Sequence, residues 1–259
     1  MAEAFINRGK KIFFLYPHPV IRDMVKDIIC HEFEVYLVYD HEKLKRYLAS
    51  CPNSIVFINI EEQLKEEEWE NYLRELLANP SLKGLGIGVL TYFDRSKALT
   101  EKYLMELGVN CGFIRLRMDV AKCKEIILNI LEANKARGQR RFVRGIANPR
   151  LDTFNVEIGL SRYNGLILNI SIAGMACQFR SLSIKLEVGM ELTDIQLVLR
   201  GMHCKVSGKI IRIDRRGNDD DTYVILFKPE SLTAQVKEKI YNFVHICLQE
   251  EVERELKKY

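Results

Sequence analysis

The sequence has no C-x-x-C pair and no uninterrupted apolar run of the ~20 residues that a membrane-spanning helix needs. Its seven cysteines (Cys30, Cys51, Cys111, Cys123, Cys177, Cys204 and Cys247) are scattered and odd in number, which argues against a disulfide framework. The five histidines, His18, His31, His41, His203 and His245, are also dispersed. His203 and Cys204 set two ligand-type residues side by side, but one neighbouring pair is too few for a zinc site, so no metal is expected. The chain holds no Walker sequence, no G-x-S-x-G elbow and no H-E-x-x-H helix. Without a nucleophile-base pair or a metal set, an enzyme is not expected. The apolar stretch Ile12–Tyr16 stops at Pro17, too short for a signal-peptide core. These absences lead to a cytoplasmic reading with no membrane span.

The 259 residues, 47% of them hydrophobic and 29% charged, are enough for two globular domains of ordinary size. The net charge of +4 is modest, but its distribution is not even. No acidic residue occurs between Glu132 and Asp152, where Lys135, Arg137, Arg140, Arg141, Arg144 and Arg150 fall. A basic segment inside a nearly neutral chain attracts anions locally.

The first part of the chain alternates strand and helix patterns. Strands are expected at Ile12–Tyr16, Phe33–Tyr39, Ile55–Ile60, Ile87–Thr91 and Phe113–Leu116. Helices are expected at His18–His31, Glu42–Ala49, Glu61–Ala78, Lys97–Leu107 and Val120–Ala136. Five such units predict a flavodoxin-like α/β domain with a parallel sheet, whose ligands bind beyond the carboxyl ends of the strands. The glycine-rich Gly84-Leu85-Gly86-Ile87-Gly88 precedes a strand, whereas a dinucleotide loop follows one, so it reads as a turn.

After Arg137 the pattern changes. Gly138, Gly145 and Pro149 mark a linker or loop. Short strands follow at Thr153–Gly159, Gly165–Ile170, Met175–Phe179, Ile195–Leu199, Lys205–Ile213 and Tyr223–Phe227. Six strands without helices between them predict a small antiparallel barrel or sandwich. Leu232, Val236, Ile240, Phe243, Val244 and Cys247 then form the apolar face of a helix over Ser231–Lys258. That helix is long enough to pack on its own barrel and to pair with a second copy in a homodimer.

Residues 10–134 resemble the receiver domain of bacterial response regulators. The resemblance implies carboxylates after the first strand for Mg²⁺, an acceptor aspartate ending the third, a threonine or serine after the fourth and a lysine after the fifth. Here the first strand runs into Tyr16-Pro17-His18, and Asn59 stands where the aspartate is implied. Thr91 ends the fourth strand, Leu116 or an arginine replaces the lysine, and Glu61 and Glu62 do not rebuild the set. An amide is not a phosphoryl acceptor, so the domain is expected to serve as a docking or dimerisation surface.

Two motifs stand about thirty residues apart: Arg140-Arg141-Phe142-Val143-Arg144, containing R-x-x-x-R, and Asn169-Ile170-Ser171-Ile172-Ala173-Gly174, an N-x-S-x-x-G. With the strand pattern around them, residues 138–250 resemble the PilZ family, receptors for the bacterial second messenger cyclic di-GMP. The resemblance implies a six-stranded antiparallel β-barrel with a C-terminal helix, and ligand contacts from Arg140, Arg141, Arg144, Asn169, Ser171 and Gly174. Arginine suits that ligand, because its planar fork binds a phosphate or guanine O6 and N7 in bidentate fashion and stacks on a base. An arginine just before the first motif arginine favours a stacked ligand pair in the family. Gln139 occupies that place here and leaves one or two ligands open.

The expected division is 1–136 receiver-like and 137–259 PilZ, with a basic switch segment at 137–150, a barrel at 151–230 and a helix at 231–259. The expected function is that of a cyclic di-GMP effector without an enzyme's cofactor. Ligand would order a mobile, self-repelling Lys135–Arg150 segment, reorient the first domain and act on an unidentified protein partner in motility, adhesion, polysaccharide synthesis or virulence. A nucleotide-free protein adaptor is the alternative. Single-stranded nucleic-acid binding ranks third and is not expected, since only Phe142 interleaves with the basic residues.

Overall fold

The computed structural model describes residues 9–117, 119–138, 141–181, 183–215 and 221–259. They divide into two compact units, one of residues 1–141 and 249–259 and the other of residues 142–248. Among the described residues no helix is long and apolar enough to cross a membrane, and no three His, Cys, Asp or Glu side chains gather as a metal set.

The first unit holds β1 (Lys11–Leu15), β2 (Glu34–Val38), β3 (Ile55–Asn59), β4 (Gly86–Thr91) and β5 (Phe113–Arg115) in the order β2-β1-β3-β4-β5. All neighbouring pairs are parallel. β3 and β4 are buried at every residue, as expected for central strands covered on both faces. Helices α1 (Pro19–Cys30), α2 (His41–Leu48), α3 (Glu66–Ala78), α4 (Lys97–Glu101) and α5 (Val120–Ala133) connect the strands. Their starts are set by side chains that satisfy free N–H groups: Asp40 accepts from the Lys43 amide at 2.9 Å and Asp119 from the Ala121 amide at 2.7 Å.

Three elements differ from the sequence reading. The third helix begins at Glu66, not Glu61, because the Glu61 carboxylate turns away to bind the end of β4. The fourth helix is α-helical only to Glu101 and continues to Glu106 as a π-helical turn. Of the glycine-rich stretch, only Gly84 makes the turn, at φ +101°, while Gly86 and Gly88 belong to β4.

The second unit is a barrel of β7 (Thr153–Ile158), β8 (Ser161–Ser171), β9 (Gly174–Phe179), β10 (Glu191–Leu199), β11 (Met202–Asp214) and β12 (Thr222–Phe227). It closes in the order β8-β7-β10-β11-β12-β9 and back to β8, entirely antiparallel, as the strand pattern predicted. A two-residue strand, β6 (Gly145–Ile146), pairs with β8 where β7 leaves off, so the expected loop contains a strand. Alternate residues fill the interior, where Phe154, Phe179 and Tyr223 meet edge to face at centroid distances of 5.0 and 5.2 Å.

One polar group lies deep in this unit. Asp152 is fully buried and accepts from the Arg200 guanidinium at 2.6 Å, the Arg200 amide at 3.0 Å and the Asn148 amide at 2.7 Å. Arg200 and Gly201 form the β10–β11 turn with φ of +47° and +79°.

Helix α6 (Ala234–Leu256) follows. The sequence reading kept it whole with the barrel, but its last turns pack with the first unit. There the Gln249 side chain accepts from the Leu37 amide at 3.1 Å and donates to the Leu37 carbonyl at 2.9 Å. The amide thus occupies both hydrogen-bonding groups of a residue on edge strand β2. Lys11 completes this patch with Glu251 at 3.4 Å and the Tyr47 hydroxyl at 2.9 Å.

Asp152→Ala leaves the Arg200 charge in a buried setting without its carboxylate and is expected to destabilise the barrel by about 3–5 kcal/mol. Hydrogen exchange of the β7 and β10 amides measures this directly.

Candidate functional site

In the first unit the crevice at the carboxyl ends of the strands is occupied by the protein's own side chains. Asn59 is buried, donates to the Tyr16 carbonyl at 3.0 Å and accepts from the Glu61 amide at 3.3 Å. The Glu61 carboxylate accepts from the Tyr92 and Phe93 amides, each at 2.9 Å, and from the Thr91 hydroxyl. Arg95 lies 3.5 Å away. Burial resists ionisation of Glu61, but the hydrogen bonds from Thr91, Phe93 and Tyr92, with the Arg95 charge, hold its carboxyl below the ordinary value. The two polar strand-end residues noted in the sequence, Asn59 and Thr91, are therefore brought together by a third, Glu61. The sequence reading dismissed Glu61 because its neighbours did not form a metal set.

The second unit gathers the other motif. Asn169 and Ser171 end β8, and Gly174 starts β9 across a two-residue turn. Ser171 pairs with Gly174, and its hydroxyl faces the Gly174 carbonyl at 3.4 Å. Ser171 is buried, whereas Asn169 is half-buried on the outer face. Gly174 has a packing reason of its own: a Cβ there would sit 2.2 Å from the Ile225 carbonyl oxygen of β12.

β6 fixes how the basic segment meets this motif. Gly145 pairs with Ile170 and Ile146 with Asn169, so the register puts Arg144 level with Ser171. Gly145 faces α6, where a Cβ would lie 3.1 Å from the Cys247 side chain and 3.2 Å from the Val244 backbone. Its neighbours Arg144 and Ile146 are exposed on the other side, as strand alternation requires. Arg141 is also exposed. Arg140 and Gln139 lie outside the described residues.

The segment read as mobile from Lys135 to Arg150 is held at both ends. Ala136 accepts from the Lys10 amide at 2.8 Å, and the Ala147 amide donates to the Leu168 carbonyl at 3.0 Å. Arg137, read as part of a self-repelling run, pairs with Glu132 at 2.6 Å and lies over the Phe33 ring.

No family model matches the sequence, and no curated protein matches it. Among solved structures, the chain is similar to the PilZ domain of YcgR from Escherichia coli with c-di-GMP, at 18% identity and a TM-score of 0.38, over 47% of this chain and 99% of that domain. Against YcgR in complex with c-di-GMP from the same organism the identity is 18% and the TM-score 0.34, over 47% of this chain and about half, 49%, of that longer one. It is also similar to the chemotaxis protein CheY4 of Vibrio cholerae, at 14% identity and a TM-score of 0.38, over 48% of this chain and 98% of that one.

Two outcomes are expected. Gly174→Ala forces β9 and β12 apart and lowers the thermal midpoint of the barrel, by a loss on the order of 1–3 kcal/mol. Glu61 has a lowered folded value, so its stabilisation is complete above the unfolded value near ~4.3 and fades as pH falls through the folded one. Glu61→Gln therefore unfolds at lower urea than the parent at pH 7, and the two midpoints converge as pH falls through the lowered folded value.

Proposed function

We propose that this chain is a cyclic di-GMP receptor and not an enzyme, with its binding site on the outer face of the barrel. The observation that carries this reading is the β6–β8 ladder, which sets the arginine-bearing segment against the end of the N-x-S-x-x-G strand. This register sets Arg144, of the first motif, level with the second motif thirty residues later. Arg144 supplies a bidentate fork for a ligand phosphate or guanine edge, and Arg140 and Arg141 add further guanidinium contacts. Asn169 bonds a base edge or phosphate from the barrel side. Ser171 and Gly174 shape the turn and let the ligand approach the backbone.

In this reading the ligand engages the arginine side chains that lie between the two anchored ends. Fixing them on a doubly anionic ligand changes the relation of the two units, and a downstream protein reads that change. The first unit acts as a docking or dimerisation surface, since Asn59, Glu61 and Thr91 are committed to one another. A nucleotide-free adaptor is the reading that failure would favour.

Titration calorimetry with cyclic di-GMP tests the proposal. The parent binds, and Arg144→Ala binds at least ten- to a hundredfold more weakly with an unchanged circular dichroism spectrum. GTP and oligonucleotides do not compete. A folded parent that takes up no cyclic di-GMP overturns the receptor reading. An unchanged small-angle scattering profile at saturation overturns the reorientation step alone.

A further inference from the structure

The barrel carries two β-bulges in the one row of residues that contains Asn169. In β8 the register slips between Ile167 and Asn169, making Leu168 the extra residue. In β11 it slips between Ile210 and Arg212, making Ile211 the extra residue. The pairings align Asn169 with Ala176, Ala176 with Val224 and Val224 with Arg212. The two bulges thus flank a single pair, Ala176–Val224, from opposite sides.

Each bulge has the same effect on a polar residue. Counted from the buried Ile167, a regular strand would turn Asn169 into the barrel. Counted from the buried Ile210, it would do the same to Arg212. The extra residue brings each onto the outer face, and Arg212 is exposed there. The floor between them is small and apolar: Ala176 and Val224, with Leu226, 47% exposed, one row along opposite Gly174. Three strand spacings, roughly 14 Å, separate Asn169 from Arg212. The pairings thus set Asn169 and Arg212 on opposite sides of this apolar floor.

From this arrangement we infer that Arg212 is a specificity-determining residue, which reads the Hoogsteen edge of a guanine lying on the Ala176–Val224–Leu226 floor. The inference rests on the receptor reading and extends its site across β9 and β12 to β11. Guanine presents O6 and N7 as two acceptors to an arginine fork, whereas adenine presents N7 beside a donor amine. Arg212 now pairs with Asp214 at 2.6 Å, with both side chains well exposed. Such a pair contributes little and exchanges readily for a ligand.

The test is calorimetric titration of the full chain with cyclic di-GMP and with cyclic di-AMP, for the parent, Arg212→Gln and Arg144→Ala. The inference expects the parent to prefer the guanine ligand. It expects Arg212→Gln to weaken that ligand roughly ten- to a hundredfold and to narrow the preference, with an unchanged melting curve. If Arg212→Gln keeps parental affinity and preference while Arg144→Ala loses binding, the inference falls and the receptor reading stands. A parent that binds neither ligand overturns both.

Discussion

The barrel's candidate binding face depends on one buried carboxylate. Asp152 gathers the Asn148 amide, the Arg200 amide and the Arg200 guanidinium in a site that water does not reach. Asn148 lies two residues beyond β6, so this bond helps hold the short strand that follows Arg144 beside β8. The Arg200 bond fixes the β10–β11 turn, and the same guanidinium lies 5.9 Å from the Phe243 ring centroid of α6. A buried ion pair adds little net stability compared with apolar packing, but it is strict about geometry. Here that strictness falls on the strand that follows the exposed Arg144.

The two units differ in how they treat their polar strand ends. In the first, Asn59, Glu61 and Thr91 are bound into one hydrogen-bonded group. In the second, Asn169 stays half-exposed on the outer face, and the β6 register sets the exposed Arg144 alongside its strand. A site whose hydrogen-bonding groups are spent internally has little to offer a ligand, whereas one that holds polar groups at the surface of a rigid barrel is preorganised.

Much of this was legible in the sequence. The five βα units, the six barrel strands and the final helix follow from periodicity alone, because burial on one or both faces leaves a period in the apolar residues. The N-x-S-x-x-G and arginine motifs were legible as types and spacing. Their meeting was not, because β6 is two residues long and carries no alternation. The bulges were hidden for a related reason: Leu168 and Ile211 are ordinary strand residues, and only the pairing partners reveal that one of them is extra. The role of Glu61 was also concealed. Its charge made it look like the start of a helix, and its hydrogen-bonding partners lie thirty residues away, at Thr91 and just beyond the end of β4.

An open sheet edge invites any extended peptide to add another strand, and folded proteins guard such edges with charge, bulges or a covering element. Gln249 guards β2 by mimicry, since its side-chain amide offers the donor and acceptor that a neighbouring backbone would. This edge of the first unit's sheet is therefore capped at Leu37 by a residue 212 positions further along the chain. A ribosome must therefore extend the chain past Gln249 before that edge is shielded, so the nascent first domain waits with one flank open to strand addition.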